Sequence, residues 1–197
     1  MPLQSSGAIS LNEIHVEAGG TTGTEASLND SDIRGLIGKL GLNPNSFNEY
    51  YGASSSLYSS TLTEGSDTSI GSGQYGYYRN NLGNLGFSDF GSLTSIDAGS
   101  VQTNAKVGYI QWTNDFTLGC RFLLDAPSSI ANSGWTTLTI GSTNLSRSNA
   151  TAFQSGASSA SNTQGYFAEW RWSTSIIGGS YGPFSGTNGT TFTVTIT

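Results

Sequence analysis

Thr191-Phe192-Thr193-Val194-Thr195-Ile196-Thr197 is the stretch whose reading decides the fold. Threonine and a bulky apolar residue alternate strictly, so an extended chain here has one apolar face and one hydroxylated face. The same period of two runs through Phe116, Leu118, Cys120, Phe122 and Leu124, which alternate with Thr117, Gly119, Arg121 and Leu123. Val107 to Trp112 reads as the strand before it, and Asn114-Asp115 has turn chemistry, so the two segments are expected to form a hairpin. Trp135 to Ile140, bounded by Ser133-Gly134 and Gly141, is the next strand. Tyr166 to Trp172 places Tyr166, Ala168, Trp170 and Trp172 on one face. Between those two, residues 141–165 are rich in Ser, Asn, Thr and Ala, and are expected as a long loop or a weak hairpin around Phe153. Aromatic and apolar runs at Tyr77-Tyr78 and from Phe87 to Leu93 add to the β signal.

Strands at this spacing, with no helical stretch between them, predict an antiparallel β-sandwich in the jelly-roll or immunoglobulin-like range over residues 77–197. The composition agrees. Only 10% of the 197 residues are charged, 27 are glycine, and Ser, Thr and Asn fill much of the remainder, as expected of a turn-rich β protein with a polar, weakly ionic surface. Thirteen acidic against seven basic residues leave a net charge of −6, which removes the electrostatic footprint of a nucleic-acid binder. Cys120 is the single cysteine, so no internal disulfide and no cysteine metal cluster can form. Met1 to Ser10 lacks the basic and apolar runs of a secretory signal, and no later segment approaches the apolar length of a membrane span. A soluble protein made in the cytosol, without membrane or nucleic-acid partners and without a cofactor, is the expectation.

The N-terminal quarter follows another rule. Ser10-Leu11-Asn12-Glu13, Ser27-Leu28-Asn29-Asp30 and Ser46-Phe47-Asn48-Glu49 repeat one phrase, Ser-x-x-acid. In it a serine oxygen caps the first turn of a helix and the acid three residues on reaches back to the cap. Each copy predicts a helix start. Gly19-Gly20, Gly38 and Gly52 would stop the helices within two or three turns, too short to be stable without packing. The chain therefore divides into a short-helix anchoring module at 1–53, a Ser/Gly/Tyr-rich linker at 54–76 and the sandwich. Leu57, Tyr58, Leu62 and Ile70 within the linker leave room for an edge strand. Leu11, Ile14, Ile33, Leu36, Ile37, Phe47, Tyr50 and Tyr51 are the apolar side chains through which the module is expected to dock on a larger surface.

Residues able to carry chemistry are few. His15 is the only histidine, and no serine sits in a nucleophile turn beside it, so packing or a surface contact is the better reading. Asp115 and Glu169 are the carboxylate pair a glycosidase would use, with tryptophans nearby, yet a turn and the polar face of a strand account for both. Asn29-Asp30-Ser31-Asp32 gathers oxygen ligands but lacks the spacing and final glutamate of a calcium loop, and helix capping explains it. Trp112, Trp135, Trp170 and Trp172 could line a groove for a host surface glycan; in a sandwich they fill the core more often. Asn144, Asn149 and Asn188 begin Asn-x-Ser/Thr triplets of the kind that chance supplies in so Ser/Thr-rich a chain.

Ser6-Gly7-Ala8-Ile9-Ser10-Leu11-Asn12-Glu13-Ile14, Glu17-Ala18-Gly19-Gly20, Ser27 to Arg34 and Ser46 to Ala53 together resemble a segment of structural proteins of tailed bacteriophages, especially those of marine bacteria and cyanobacteria. The resemblance covers about the first 53 residues. It implies a virion-attachment module carrying a displayed β domain, in a non-enzymatic head decoration (cement) or tail or fibre protein. Partners would be other virion structural proteins and further copies of this chain, and the site of action the virion, after synthesis in host cytoplasm. Residues 77–197 carry no such resemblance.

Overall fold

The computed structural model describes residues 3–37, 44–52, 56–68, 73–79, 88–113, 119–177 and 180–197. The chain divides into two compact units, Met1–Ser56 and Leu57–Thr197.

In the first unit the initial Ser-x-x-acid phrase makes the helix its spacing predicts. Helix α1 (Leu11–Glu17) starts at Ser10, whose Oγ accepts the Glu13 N–H at 3.2 Å while Glu13 Oε2 accepts the Ser10 N–H at 2.7 Å. The Ser10 hydroxyl, which donates to Glu13 Oε2 at 2.8 Å, and the Ser10 N–H together hold the Glu13 carboxyl below its usual range. Gly19, at φ 97°, ends the helix in the left-handed region that glycine enters without strain. The second phrase behaves differently. Asp30 Oδ2 accepts the Ser27 N–H at 2.8 Å, closing a turn, and helix α2 (Ser31–Gly35) begins only after Asp30. Its start is thus displaced three residues from the expected one, because Ser27 Oγ accepts from Asn29 N–H, two residues on, instead of capping a helix. The third yields a single 3-10 turn, Phe47–Tyr50, with Glu49 Oε2 accepting the Ser46 N–H at 2.8 Å. Gly38, the expected stop for the second helix, lies outside the described residues.

These short elements pack against one another. Ile14, Ile33 and Tyr50 are fully buried, with Leu3, Ile9, Leu11, Ala18, Ala26, Leu28, Leu36 and Ile37 around them. Asn45 Nδ2 joins the Leu28 carbonyl to the Tyr50 hydroxyl at 2.7 Å each, and Tyr51 Oη donates to the Gly7 carbonyl at 2.5 Å. One apolar residue from each phrase region thus supplies the tertiary burial that helices of this length need.

The second unit is an antiparallel β-sandwich. Its strands are β1 (Tyr58–Thr63), β2 (Gly65–Asp67), β3 (Gln74–Tyr78), β4 (Ser92–Leu93), β5 (Lys106–Thr113), β6 (Gly119–Ala126), β7 (Thr137–Ile140), β8 (Thr143–Ser146), β9 (Ala152–Ala157), β10 (Tyr166–Ser173) and β11 (Thr191–Ile196). One sheet has the order β4-β1-β11-β7-β8 and the other β2-β3-β5-β6-β10-β9. The closing alternation lies inside the first sheet, between β1 and β7, with Val194 opposite both Ser60 and Ile140. Strand β6 pairs with β5 as expected, although the turn at Asn114-Asp115 lies outside the described residues.

Three expectations change. Residues 54–76 are not a linker where they are described: β1 is an interior strand, and β2 and the start of β3 belong to the other sheet. Tyr58, Ser60 and Leu62 point inward and Ser59 and Thr61 outward, a period of two that serine-rich composition conceals. Residues 141–165 are neither one loop nor one hairpin, since β8 pairs with β7 in one sheet and β9 with β10 in the other. Finally, β6 is buried along its whole length, where the alternation predicted an exposed polar face. On the outer side of its sheet, Leu123 joins Tyr78, Phe90 and Tyr109 in a second apolar cluster, with the Tyr78 ring stacked 5.5 Å from both Phe90 and Tyr109.

Candidate functional site

The four tryptophans form the middle of the sandwich. Trp112, Trp135, Trp170 and Trp172 are 0–2% exposed. Trp135 meets Trp170 edge-on with centroids 5.1 Å apart, and Phe122 stacks on Trp170 at 5.6 Å. Cross-strand register brings them together: Trp112, Cys120 and Trp172 are in line across β5, β6 and β10, and Ile110, Phe122 and Trp170 occupy the next inward row. Their polar ends are used internally. Trp170 Nε1 donates to Asn132 Oδ1 at 2.7 Å, Trp172 Nε1 to the Ser146 carbonyl at 2.8 Å, and Trp112 Nε1 to the Ser180 carbonyl at 3.1 Å; Trp135 Nε1 has no partner among the described residues. None of the four presents a face on which a sugar ring could stack, which overturns their assignment as glycan contacts. Their burial follows from the inward phase of the strands that carry them.

Glu169 is buried too, at 2% exposure, on the opposite face of β10. Arg121 Nε and Nη2 donate to its two oxygens, each at 2.9 Å, Tyr109 Oη donates at 2.6 Å, and Arg171 Nε adds a further contact. Burial drives the Glu169 carboxyl upward, but the Arg121 hydrogen bonds and charge, with those of Arg171 and Tyr109, outweigh it and hold the group below its usual range. Burial also pushes the Tyr109 hydroxyl well up. A carboxylate held ionised by two guanidiniums is a poor general acid, and its acceptor sites are occupied. Asp115, the proposed second carboxylate, lies outside the described residues.

The other singled-out residues are likewise absorbed by packing. His15 Nε2 contacts Thr24 Oγ1 at 2.8 Å, and the ring lies against Gly20, where a Cβ would come within 2.2 Å of it. Cys120 faces the core and is fully buried, which drives its thiol pKa far up and leaves it inert. In the Asn29–Asp32 stretch, Asp30 closes its turn and Asn29 Oδ1 accepts from Arg34 at 3.3 Å. Among the described residues no three His, Cys, Asp or Glu side chains gather as a metal site would require.

The expected docking side chains divide. Ile14, Ile33 and Tyr50 form the first unit's own core, with Leu11, Leu36 and Ile37 half-buried around them, so these residues hold the unit together instead of offering a surface. Tyr51 is half-buried, and only Phe47 stays open, at 40% exposure. The structure adds Val16, 41% exposed, beside a groove of about 390 Å³ lined by Leu3, Gln4, Asn12, Glu13, Glu17 and Thr22. The sequence carried a signal for Val16: it lies two residues after Ile14 on α1, and so on the side away from the core.

Sequence reading missed two other features. Glu64, between β1 and β2, is buried and accepts from Ser185 N–H at 3.0 Å, Ser185 Oγ at 2.7 Å and Gly186 N–H at 2.8 Å, which fastens the loop before β11. Gln74 and Gln111 stand on the outer face of the six-stranded sheet, fully buried, and among the described residues nothing hydrogen-bonds the side-chain amide nitrogen or oxygen of either. Both depend on partners or burial far away in sequence. No family model, no curated protein and no solved structure matches this chain.

Proposed function

We propose that the chain is a non-enzymatic structural component of a tailed-phage particle, a peripheral head decoration or a tail or fibre protein, attached through its first unit and displaying its sandwich. The observation that carries this reading is the division into two units with separate apolar cores, the smaller of which contains the entire phage-like segment. Supporting it, the tryptophans and Glu169 are engaged in packing and ion pairing within the sandwich.

Attachment uses the outer surface of α1, with its groove and exposed Val16, together with Phe47, because Ile14, Ile33 and Tyr50 are committed to the unit's own core. Partners are other virion structural proteins. The test is removal of residues 1–56. The remaining chain should fold, with its tryptophan emission unchanged, and should be missing from assembled particles; stoichiometric incorporation of the truncated chain would refute the attachment role.

A further inference from the structure

Strand edges carry unpaired backbone groups that recruit other strands, and natural sheets blunt them with short strands, charge, proline or bulges. Three of the four edges here follow that rule. Strand β4 has two residues, β2 has three and carries Asp67, and β8 has four and runs into Arg147. The fourth does not. Strand β9 has six residues, Ala152-Phe153-Gln154-Ser155-Gly156-Ala157, and neither a charged residue nor a proline occurs between Arg147 and Glu169.

Its phase is fixed by the Ser158 N–H, which donates to the Gly165 carbonyl at 2.8 Å. By the two-residue period, Ala152, Gln154 and Gly156 turn their backbone groups toward β10, while Phe153, Ser155 and Ala157 turn theirs to the open side. Among the described residues nothing bonds those outward groups. The strand is exposed, Phe153 and Gly156 being its half-buried positions.

We propose that β9 pairs antiparallel with β9 of a second copy, across a twofold axis at Ser155, joining two six-stranded sheets into one. The edge is complementary to itself in that register. Ser155 faces its own counterpart, Phe153 faces Ala157, and Gln154 faces Gly156, so each larger side chain meets a small one and no like charges meet. Two copies each carrying −6 repel over most of their surface, and this uncharged run is where they approach at least electrostatic cost. A twofold contact of this kind closes, giving a dimer instead of a fibre. The inference does not depend on where the protein acts.

The experiment uses the full chain. Sedimentation equilibrium should give a dimer, and Ser155→Pro should be monomeric with an unchanged circular dichroism spectrum, because the N–H that proline removes makes no bond among the described residues. Disulfide trapping reads the register independently. In a hydrogen-bonded antiparallel pair the Cα atoms are about 5.5 Å apart, within the disulfide range of about 4.4–6.8 Å. Ser155→Cys should therefore cross-link under mild oxidation and Gln154→Cys should not, the native Cys120 being buried. A monomeric wild-type chain, a dimer that survives Ser155→Pro, or equal cross-linking at 154 and 155 would each overturn the proposal. Should Ser155→Pro fail to fold, the cysteine pair decides alone.

Discussion

Arg121 and Glu169 face each other diagonally across β6 and β10 and form a two-pronged ion pair, both contacts 2.9 Å, on the outer side of a sheet whose inner side is the tryptophan core. The Tyr109 hydroxyl closes the group from β5. Three adjacent strands are thereby joined by side chains as well as by their ladders.

Breaking that group should be costly. Glu169→Ala leaves the Arg121 guanidinium buried without its counter-charge, and loss of one partner of a buried pair costs about 3–5 kcal/mol. Tyr109→Phe removes one hydrogen bond to a charged group and should cost about 1.5–3 kcal/mol. Urea unfolding followed by tryptophan emission measures both; equal small losses for the two variants would show that the pair contributes little.

The same group gives acid sensitivity with a definite sign. The Glu169 carboxyl is held below its ordinary value of 4.5, so its contribution is fully present above that pH and is lost as pH falls through the lower folded-state value. Asp125 acts oppositely. Burial raises it above 3.8, so its share of stability falls as pH rises through the window above 3.8. The difference in urea midpoint between wild type and Glu169→Gln should be constant near neutrality and shrink below pH 4.5. A difference that does not vary with pH would contradict this assignment.

The tryptophans should be shielded from an added quencher in the folded chain and become accessible only on unfolding, because all four are at most 2% exposed. Their substitutions should differ in cost. Trp172→Phe strands the half-buried Ser146 carbonyl, whereas Trp170→Phe leaves the exposed Asn132 Oδ1 with Arg147 Nη1, and Trp135→Phe strands no partner among the described residues. Trp172→Phe should therefore exceed the other two by about 1–3 kcal/mol, the cost of a buried polar group left without its partner.

Gln111→Leu and Gln74→Met should be neutral or stabilising. Each removes a buried side-chain amide that makes no hydrogen bond among the described residues and replaces it with an apolar group of similar volume. Thermal unfolding midpoints check this, and a marked fall for either would reveal a partner for that amide.

Ile14→Ala should loosen the first unit while leaving the second intact. Truncation at a fully buried site costs about 2–5 kcal/mol, and all four tryptophans lie in the other unit. Amide exchange over residues 10–37 should accelerate with no change in the tryptophan unfolding curve. A shift of that curve would mean that the two cores do not unfold separately.

What was legible in the chain follows how far each signal reaches. The alternation at 191–197, the hairpin pattern before Leu124 and the inward row Ala168, Trp170 and Trp172 are local, and they sufficed for an antiparallel sandwich. The Ser10 capping box was equally local and correctly placed. Strand β1 was obscured because its inward positions include Ser60, which hydrogen-bonds Thr94 and Ser95, residues remote in sequence. The candidate chemistry was legible as residue types; a tryptophan that stacks on sugar and one that fills a core share the same sequence pattern, and burial decides for the core reading that the sandwich favoured, whereas Glu169, read as the polar face of a strand, is buried.

By itself, then, the sequence determined the β class, the split between a capped-turn segment and a strand-rich remainder, and the weakly charged surface, because propensity, periodicity and capping act within a few residues. Tertiary structure alone decided that Ile14, Ile33 and Tyr50 form a core of their own, that Glu169 is an ion-paired strut, and that β9 is left as an open edge. Burial and edge position belong to the assembled sheets and are absent from any single strand.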